Sequence, residues 1–316
     1  MSGCIPDPHG AISAGIDLGG TKIEAALFGP DATPLTARRR PTPRASYEAL
    51  LDALVQEVEG LRSASGRDDL PVGIGMPGLV DAQTGVAVTA NLPANGQRLA
   101  HDLAARAGGH IVTANDCKCF ALSEANGGAG QGYGRVFGLI LGTGLGGGLC
   151  QDGRLVLGHN GLPGEIGHYG LPAHLIQRHG LPLLPCGCGR TGCTETLISG
   201  TGMAQLARAI LGIDRSAPEI AATPDDPGNA RVLQIWTELA AELLHTIQLH
   251  IDPDCIVLGG GLSRIGGLAP RLAGGLTRAA LPSLRQPAIL TPRFGDSSGT
   301  RGAAILALHS DKDRTR

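Results

Sequence analysis

Three of the chain's eight cysteines lie within the short segment PCGCGRTGCTE, as Cys186, Cys188 and Cys193. The glycines between them let the backbone turn tightly enough for several thiolates to face one point. A Cys186–Cys188 disulfide would close a strained ring and leave Cys193 unpaired, so the spacing favours zinc, which needs a fourth ligand. Four protein ligands would leave no open position, so such a metal would be structural. The candidates for the fourth ligand are His168, His174 and His179.

Two turns that contain glycine and threonine could bind phosphate. The strings DLGGTK (17–22) and LGTGLGGG (141–148) each come at the end of a predicted strand, where backbone N–H groups can surround phosphate oxygens. One such string alone is more often only a tight turn, but two copies that both lead into strands favour a nucleotide phosphate site. A Rossmann dinucleotide site is disfavoured, because a strand and not a helix is predicted after residue 148. The candidate residues are Gly19, Gly20, Thr21, Lys22, Gly142, Thr143, Gly144, Gly146 and Gly147.

Asp116 is the candidate general base. It lies between a predicted strand and a predicted helix, where its carboxylate could accept a proton from a substrate hydroxyl. Its position fits a helix cap equally well. The preceding Asn115 can both donate to and accept from substrate hydroxyls. Asp17, at the end of another predicted strand, could contact a hydrated Mg²⁺ or could only form a turn.

The elements that must position these residues alternate between short strands and helices. A strand–turn–strand pattern near 14–29 recurs near 136–157, which predicts two related α/β lobes facing one another across a cleft. The basic segment RRRPTPRAS (38–46) is predicted to be a solvated loop. Predicted strands cover 14–18, 21–29, 71–76, 110–114, 135–141 and 255–261, with a hairpin turn at Asp152-Gly153. Predicted helices cover the segment capped by Ser46, then 117–125, 201–211, 230–251 and 299–308, with a frayed charged tail after the last.

Composition excludes several classes of protein. The chain has 316 residues, of which 42% are hydrophobic, enough for two lobes or one elaborated domain. A net charge of -2 argues against nucleic acid or an anionic membrane as partner. No apolar run approaches the ~18 residues that cross a bilayer, and residues 1–14 do not resemble a secretory signal. The scattered cysteines favour a reducing, cytoplasmic location.

The strings GIDLGGTKIEAALF, LILGTGLGGG and IVLGGGLS resemble the two phosphate segments and the adenosine segment of the ROK family of sugar kinases. The resemblance runs from about Gly15 to Leu308 and includes LPGEIGH (162–168). It implies an α/β chain with the two-lobed actin-like ATPase (ribonuclease H-like) fold, in which each lobe is a mixed sheet flanked by helices. The small lobe would comprise residues 1–115 and 300–316, and the large lobe residues 116–299.

The resemblance also implies an activity and the residues that perform it. ATP, with Mg²⁺ near Asp17, would phosphorylate the 6-hydroxyl of N-acetyl-D-glucosamine, and Asp116 would be the general base. In this family the histidine of GEIGH completes a structural zinc site, which identifies His168 as the fourth ligand. The sugar would contact Gly78, Asn115, Asp116, Glu165, His168 and Glu195. The adenosine would pass close to Gly259, Gly260 and Gly261.

Three rival interpretations and one departure qualify this prediction. A glucokinase or another hexose kinase of the family is the alternative activity, and the chain is compatible with a homodimer. A sugar-sensing regulator would need a helix-turn-helix segment before Gly15, where none is expected, and a zinc hydrolase would need an open metal position.

The departure is Lys118, where the family usually has a small or amide residue. Its ammonium could stabilise the charged form of Asp116, but we expect it to point into solvent.

Overall fold

The computed structural model describes residues 8–81 and 83–314. Residues 1–7, part of the segment expected to lack a secretory signal, lie outside the described residues. The chain groups into two compact units. The first unit comprises the chain up to Gly128, Gly148–Pro163 and the segment from Asp296 onward, and the second comprises Ala129–Gly147 and Gly164–Gly295. This grouping differs from the predicted lobes at 116–128, 148–163 and 296–299, and the lobe boundaries stay a prediction.

Within the described ranges, twelve strands and ten α-helices alternate along the chain. The strands are β1 (Ser13–Leu18), β2 (Lys22–Phe28), β3 (Pro34–Pro41), β4 (Val72–Met76), β5 (Leu79–Val80), β6 (Ala87–Val88), β7 (Ile111–Asn115), β8 (Arg135–Leu141), β9 (Leu145–Gln151), β10 (Arg154–Leu155), β11 (Cys255–Gly259) and β12 (Ala288–Leu290). The helices are α1 (Tyr47–Ser65), α2 (Leu99–Ala107), α3 (Asp116–Ala125), α4 (Ala173–His179), α5 (Glu195–Ile198), α6 (Gly200–Leu211), α7 (Ala217–Ala222), α8 (Pro227–Ile251), α9 (Leu268–Ala279) and α10 (Ser298–Arg314). Short 3-10 helices cover Pro8–Gly10, Ile166–His168, Gly261–Arg264 and Gly295–Ser297.

Two five-stranded sheets share one topology. The first has the order β3-β2-β1-β4-β7, with antiparallel pairs among β1, β2 and β3 and parallel pairs among β1, β4 and β7. The second has the order β10-β9-β8-β11-β12, and β11 runs parallel to both of its neighbours. This correspondence confirms the repeated strand–turn–strand pattern read from the sequence. A separate two-stranded ribbon, β5-β6, follows Gly78.

Local sequence explains why the main elements begin and turn where they do. Ser46 caps α1 by accepting a hydrogen bond from the Ala49 N–H at 3.1 Å. Asp226 caps α8 in the same way, and Pro227 occupies the first helical position, where its missing N–H costs nothing. Asp152 and Gly153 both have positive φ, 50° and 74°, as a tight hairpin turn between β9 and β10 requires.

Glycines bring α10 unusually close to the first sheet. A methyl group on Gly15 of β1 would lie 1.8 Å from the Thr300 carbonyl oxygen, and one on Gly73 of β4 would lie 1.8 Å from that of Ala303. Gly302 on α10 approaches the Cys119 carbonyl of α3 to the same degree, with 1.7 Å to an added methyl. The sheet, α10 and α3 therefore form one tightly packed body that fixes the start of α3.

The structure corrects two of the predicted elements. Arg38–Arg40 form part of β3 and not of a loop: Arg39 Nε lies 2.6 Å from a Glu24 carboxylate oxygen and Arg38 Nε lies 2.5 Å from Glu57. Charged side chains suit an edge strand, because they discourage pairing with other chains. The described part of the tail after residue 308, up to 314, is also not frayed, since α10 continues to Arg314 and Arg154 contacts Asp313 at 3.0 Å. No helix in the described ranges has the length and apolar character of a bilayer span.

Candidate functional site

The parallel strands of the first sheet bring two carboxylates to one edge. Asp17 of β1 pairs with Gly75 of β4, which in turn pairs with Ala114 of β7, just before Asn115 and Asp116. Because the carboxyl ends of parallel strands meet at one edge, Asp17 and Asp116 belong to the same site. A methyl group on Gly299, in the first turn of α10, would lie 3.0 Å from the Asp17 carboxylate. This end of the sheet is therefore acidic and closely packed.

Burial makes both carboxylates hold protons more tightly than usual. The pKa of Asp17 is raised from 3.8 to about 6, first by burial and then by the negative charges of Asp116 and Glu24, while Lys22 and Arg39 act in the opposite direction. Burial also raises the pKa of Asp116. The Cys117 N–H, which donates to Asp116 Oδ1 at 2.9 Å, lowers this pKa because it favours the charged form, but burial has the larger effect. A buried carboxylate of raised pKa is a better proton acceptor once ionised, as a general base requires.

Asn115, and not Asp116, is the N-cap of α3. Its Oδ1 accepts the Cys117 N–H at 2.9 Å and the Lys118 N–H at 3.4 Å. Its Nδ2 donates to the Gly78 carbonyl at 2.9 Å. The N-cap position that the sequence could equally assign to Asp116 therefore belongs to its neighbour, although Asp116 Oδ1 also accepts the Cys117 N–H.

Gly78 has a structural reason to be glycine. Its φ is 98°, and a methyl group there would lie 2.2 Å from the Val88 carbonyl oxygen. This close approach seats the ribbon β5-β6 beside the end of β4, and Asn115 holds the Gly78 carbonyl to α3. Gly78 is thus placed beside the carboxylates, and its predicted sugar contact stays a prediction.

Lys118 is buried, which corrects the expectation that its amine points into solvent. Only 3% of its surface is exposed, and its Nζ donates to the carbonyl of Gly161. This hydrogen bond joins α3 to the segment that follows β10. Sequence alone contains no signal for this contact, because the two residues lie 43 positions apart.

The first glycine–threonine string forms the β1–β2 turn. The Gly19 N–H donates to the Lys22 carbonyl at 2.9 Å, and the Thr42 hydroxyl donates to the Gly19 carbonyl at 2.7 Å. Thr21 and Lys22 are exposed, and Lys22 Nζ lies 3.7 Å from a Glu24 oxygen. Gly19, Gly20 and Thr21 therefore form one short turn after Leu18, and Lys22 begins β2.

The second string forms the β8–β9 turn of the second unit, and the start of α6 contacts it. The Gly200 N–H donates to the Gly142 carbonyl at 2.7 Å, and the Thr201 hydroxyl donates to the Thr143 carbonyl at 2.9 Å. The string SGTG (199–202) thus belongs beside the predicted phosphate turn, although sequence reasoning missed it. Its Gly-Thr content, shared with the two predicted turns, was the available signal.

Not every glycine of the second string lies in the turn. Gly146 and Gly147 are part of β9, and a methyl group on Gly147 would lie 2.6 Å from the Phe137 ring. The last predicted string meets the same turn: Gly259 ends β11, Gly261 begins a 3-10 helix, and a methyl group on Gly260 would lie 2.5 Å from the Leu141 carbonyl. The predicted phosphate and adenosine segments are therefore adjacent in the second unit.

The Cys/His cluster predicted from spacing and family resemblance assembles in the second unit. One ring nitrogen of His168 and the sulfurs of Cys186, Cys188 and Cys193 all lie within 4.8 Å of one another. Cys186 Sγ is 3.6 Å from His168 Nδ1, and Cys188 Sγ is 3.7 Å from Cys193 Sγ. Ligands bound tetrahedrally to one zinc at about 2.3 Å lie about 3.7 Å apart, so the cluster is compatible with structural zinc.

Glu195 connects this cluster to the second turn. Its Oε1 accepts from Cys186 Sγ at 3.2 Å, and its Oε2 accepts from the Leu145 N–H at 3.4 Å. A methyl group on Gly144 would lie 3.3 Å from the same Oε2. Glu165 directly precedes the 3-10 helix that carries His168. Glu165, His168 and Glu195, predicted as sugar contacts, are thus grouped around the cluster.

Comparison with known proteins decides the family. The sequence profile of the ROK family matches residues 13–310. The chain belongs to the ROK family. The N-acetylgalactosamine kinase AgaK of Shewanella sp. (strain ANA-3) is 42% identical over 295 residues, which cover 92% of this chain and 95% of that protein. The N-acetyl-D-glucosamine kinase of Escherichia coli O139:H28 is 42% identical over 303 residues, covering 93% and 98%.

Solved structures of the ROK family agree with the fold. The ROK hexokinase of Thermus thermophilus is 30% identical with a TM-score of 0.84, covering 95% of this chain and 99% of that one. A ROK family glucokinase of Streptomyces griseus, solved in complex with glucose and AMPPNP, is 28% identical with a TM-score of 0.76, covering 94% and 99%. The predicted actin-like ATPase fold is confirmed.

Proposed function

We propose that this ROK family protein is an ATP-dependent N-acetyl-D-glucosamine kinase that forms N-acetyl-D-glucosamine 6-phosphate. The observation that carries the proposal is the 42% identity to curated N-acetyl-D-glucosamine kinases over 93% of the chain. The half-buried, base-competent Asp116 at the start of α3 supports it from the structure.

In the proposed reaction Asp116 accepts the proton of the sugar's 6-hydroxyl as the oxygen attacks the γ-phosphorus of ATP. Phosphoryl transfer needs alignment, charge neutralisation and such a base, and little other chemistry from the protein. Asn115 holds Asp116 at the start of α3 and ties it to Gly78. Glu165, His168 and Glu195 are assigned to the sugar hydroxyls.

Two metal ions are part of the proposal, Mg²⁺ to neutralise phosphate charge and zinc to stabilise the structure. Mg²⁺, held near Asp17 through its water shell, would neutralise phosphate charge, and the carboxylate oxygens of Asp17 fit that hard cation. The turns at 19–22 and 142–144 would hold the triphosphate through backbone N–H groups and Thr hydroxyls. We assign a structural zinc to His168 and the three cysteines, because thiolates and an imidazole are the donors it prefers.

One further activity has a specific observation in its favour. The Shewanella N-acetylgalactosamine kinase is also 42% identical, so the 4-epimer of the sugar is the second candidate acceptor. The epimers differ only in the direction of one hydroxyl, and hydrogen-bonding side chains can discriminate such a difference.

The test is a sugar panel with purified protein. ADP release is coupled to NADH oxidation with N-acetyl-D-glucosamine, N-acetyl-D-galactosamine and glucose, and phosphorus NMR locates the new phosphate on the product. We expect kcat/KM for N-acetyl-D-glucosamine to exceed the others by about tenfold or more. A preference for N-acetyl-D-galactosamine would support the second candidate, and a preference for glucose would overturn both.

The remaining assignments follow from the same proposal. An enzyme with reduced thiols and an ATP requirement suits the cytoplasm. Its partners would be the sugar and the nucleotide, with no nucleic acid or membrane involved. A homodimer stays a prediction.

A further inference from the structure

The buried amine of Lys118 ties the start of α3 to a distant loop of the first unit. Its Nζ donates to the Gly161 carbonyl, and a methyl group on Gly161 would lie 3.8 Å from Nζ. A Lys amine that is 3% exposed loses most of its hydration, so a charged amine must be compensated by such acceptors. This contact therefore fixes Gly161 in place.

The same loop also lies against the ribbon that follows Gly78. A methyl group on Gly161 would lie 3.1 Å from the Val80 carbonyl of β5. The pKa of Asp81, the residue directly after β5, is lowered mainly by hydrogen bonds from Thr84 and also by the charge of His159, which places His159 near Asp81. The segment 156–163 is thus held both by the ribbon and by Lys118.

Two residues that flank Asp116 in the sequence, Asn115 and Lys118, each hold one loop by a hydrogen bond. Asn115 Nδ2 donates to the Gly78 carbonyl, and Lys118 Nζ donates to the Gly161 carbonyl. Along the chain, Gly161 comes four residues before Glu165, which is assigned to the sugar. One anchor is therefore Gly78, itself a proposed acceptor contact, and the other lies in a loop that leads into Glu165, a second proposed contact.

We propose that Lys118 is a positioning residue that holds the segment 156–163 as part of the acceptor-sugar site. The proposal rests on the kinase function proposed above and adds to it a residue that touches no reacting atom. Loss of the Nζ donor releases the segment, so the sugar must order it on binding. Sugar affinity is therefore lost, while ATP affinity is kept.

The experiment compares Lys118→Met, which keeps the length of the side chain and removes the donor, with Lys118→Arg, which keeps a cationic donor. Lys312→Met, on the exposed face of α10, is the matched control. We expect Lys118→Met to raise the sugar KM by about tenfold, as loss of one charge-assisted hydrogen bond allows, with the ATP KM changed less than about twofold. Lys118→Arg should recover most of the loss, and Lys312→Met should match the wild type.

Hydrogen–deuterium exchange of the segment 156–163 supplies a readout that needs no catalysis. Amides there should exchange faster in Lys118→Met than in the wild type, with other segments unchanged. An unaltered sugar KM, an equal rise in the ATP KM, or equal exchange of this segment in the two proteins would overturn the inference. If wild-type protein phosphorylates no sugar, the function proposed above fails, while the exchange data still decide whether Lys118 holds the loop.

Discussion

Replacing Asp17 with Asn should make the protein more stable above pH 6 while removing its activity. Folding raises the pKa of Asp17 from 3.8 to about 6, so the folded chain binds this proton more tightly than the unfolded chain. The free energy of unfolding therefore falls as pH rises from about 4 through 6, because the buried carboxylate must then carry its charge. Asn has nearly the same shape and no charge to bury.

The size of the effect follows from the two pKa values. At about 1.36 kcal/mol per pH unit, the ionised carboxylate destabilises the folded chain by about 3 kcal/mol at pH 7.5 and by about 1 kcal/mol at pH 4.5. Asp17→Asn should restore much of this lost free energy of unfolding at pH 7.5, and about a third as much at pH 4.5. Its kinase activity should be lost if Asp17 holds the hydrated Mg²⁺.

The assay is urea unfolding of nucleotide-free and magnesium-free protein, followed by circular dichroism at both pH values. Asp31→Asn is the matched control, because Asp31 is exposed in the turn between β2 and β3 and should leave stability unchanged. An Asp17→Asn protein no more stable than wild type at pH 7.5, or one with the same gain at both pH values, would refute this reasoning.

Two further predictions concern packing and the metal. Gly73→Ala should destabilise the first unit by about 1–3 kcal/mol or more, because its methyl would lie 1.8 Å from the Ala303 carbonyl. The control Gly10→Ala, with open space around it, should leave stability unchanged. Equal urea midpoints for the two variants would contradict this packing argument. Wild-type protein should contain about one zinc per chain by mass spectrometry, and Cys193→Ser should lose it and melt at lower temperature. Cys255→Ala should keep its zinc, and zinc retained by Cys193→Ser would count against the assigned ligands.

The central strands and most long helices were predictable from the sequence because their signals are local. The cap at Ser46, the hairpin at Asp152-Gly153 and the apolar runs of β1, β4 and β7 lie within a few residues of the structure they specify. The four members of the Cys/His cluster were also predicted to come together, although spacing alone left three histidines open. That choice required resemblance to a family.

The wrong predictions concern charged side chains whose partners lie far away in the sequence. Arg38 and Arg39 look like a solvated loop until Glu57 and Glu24 are known to face them. Lys118 looks exposed until the Gly161 carbonyl is known to accept from it. The conformation and burial of these side chains depend on partners distant in sequence, which a single sequence does not identify.

The choice of helix cap shows the same limit at short range. Asn115 and Asp116 are both good capping residues, and sequence propensity does not separate them. The structure does, because Asn115 reaches two N–H groups of α3 and the Gly78 carbonyl at once. Asp116 shares only the Cys117 N–H with this cap, through its Oδ1 at 2.9 Å.

Kinetics of Asp116→Asn test the central claim most directly. The variant keeps the size of the side chain and removes its basicity, and Asp68→Asn, at an exposed position, is its control. We predict that kcat falls by about 10²–10⁴-fold, while the dissociation constant for N-acetyl-D-glucosamine, measured by calorimetry, changes only a few-fold. A kcat for Asp116→Asn close to that of the wild type would contradict the account.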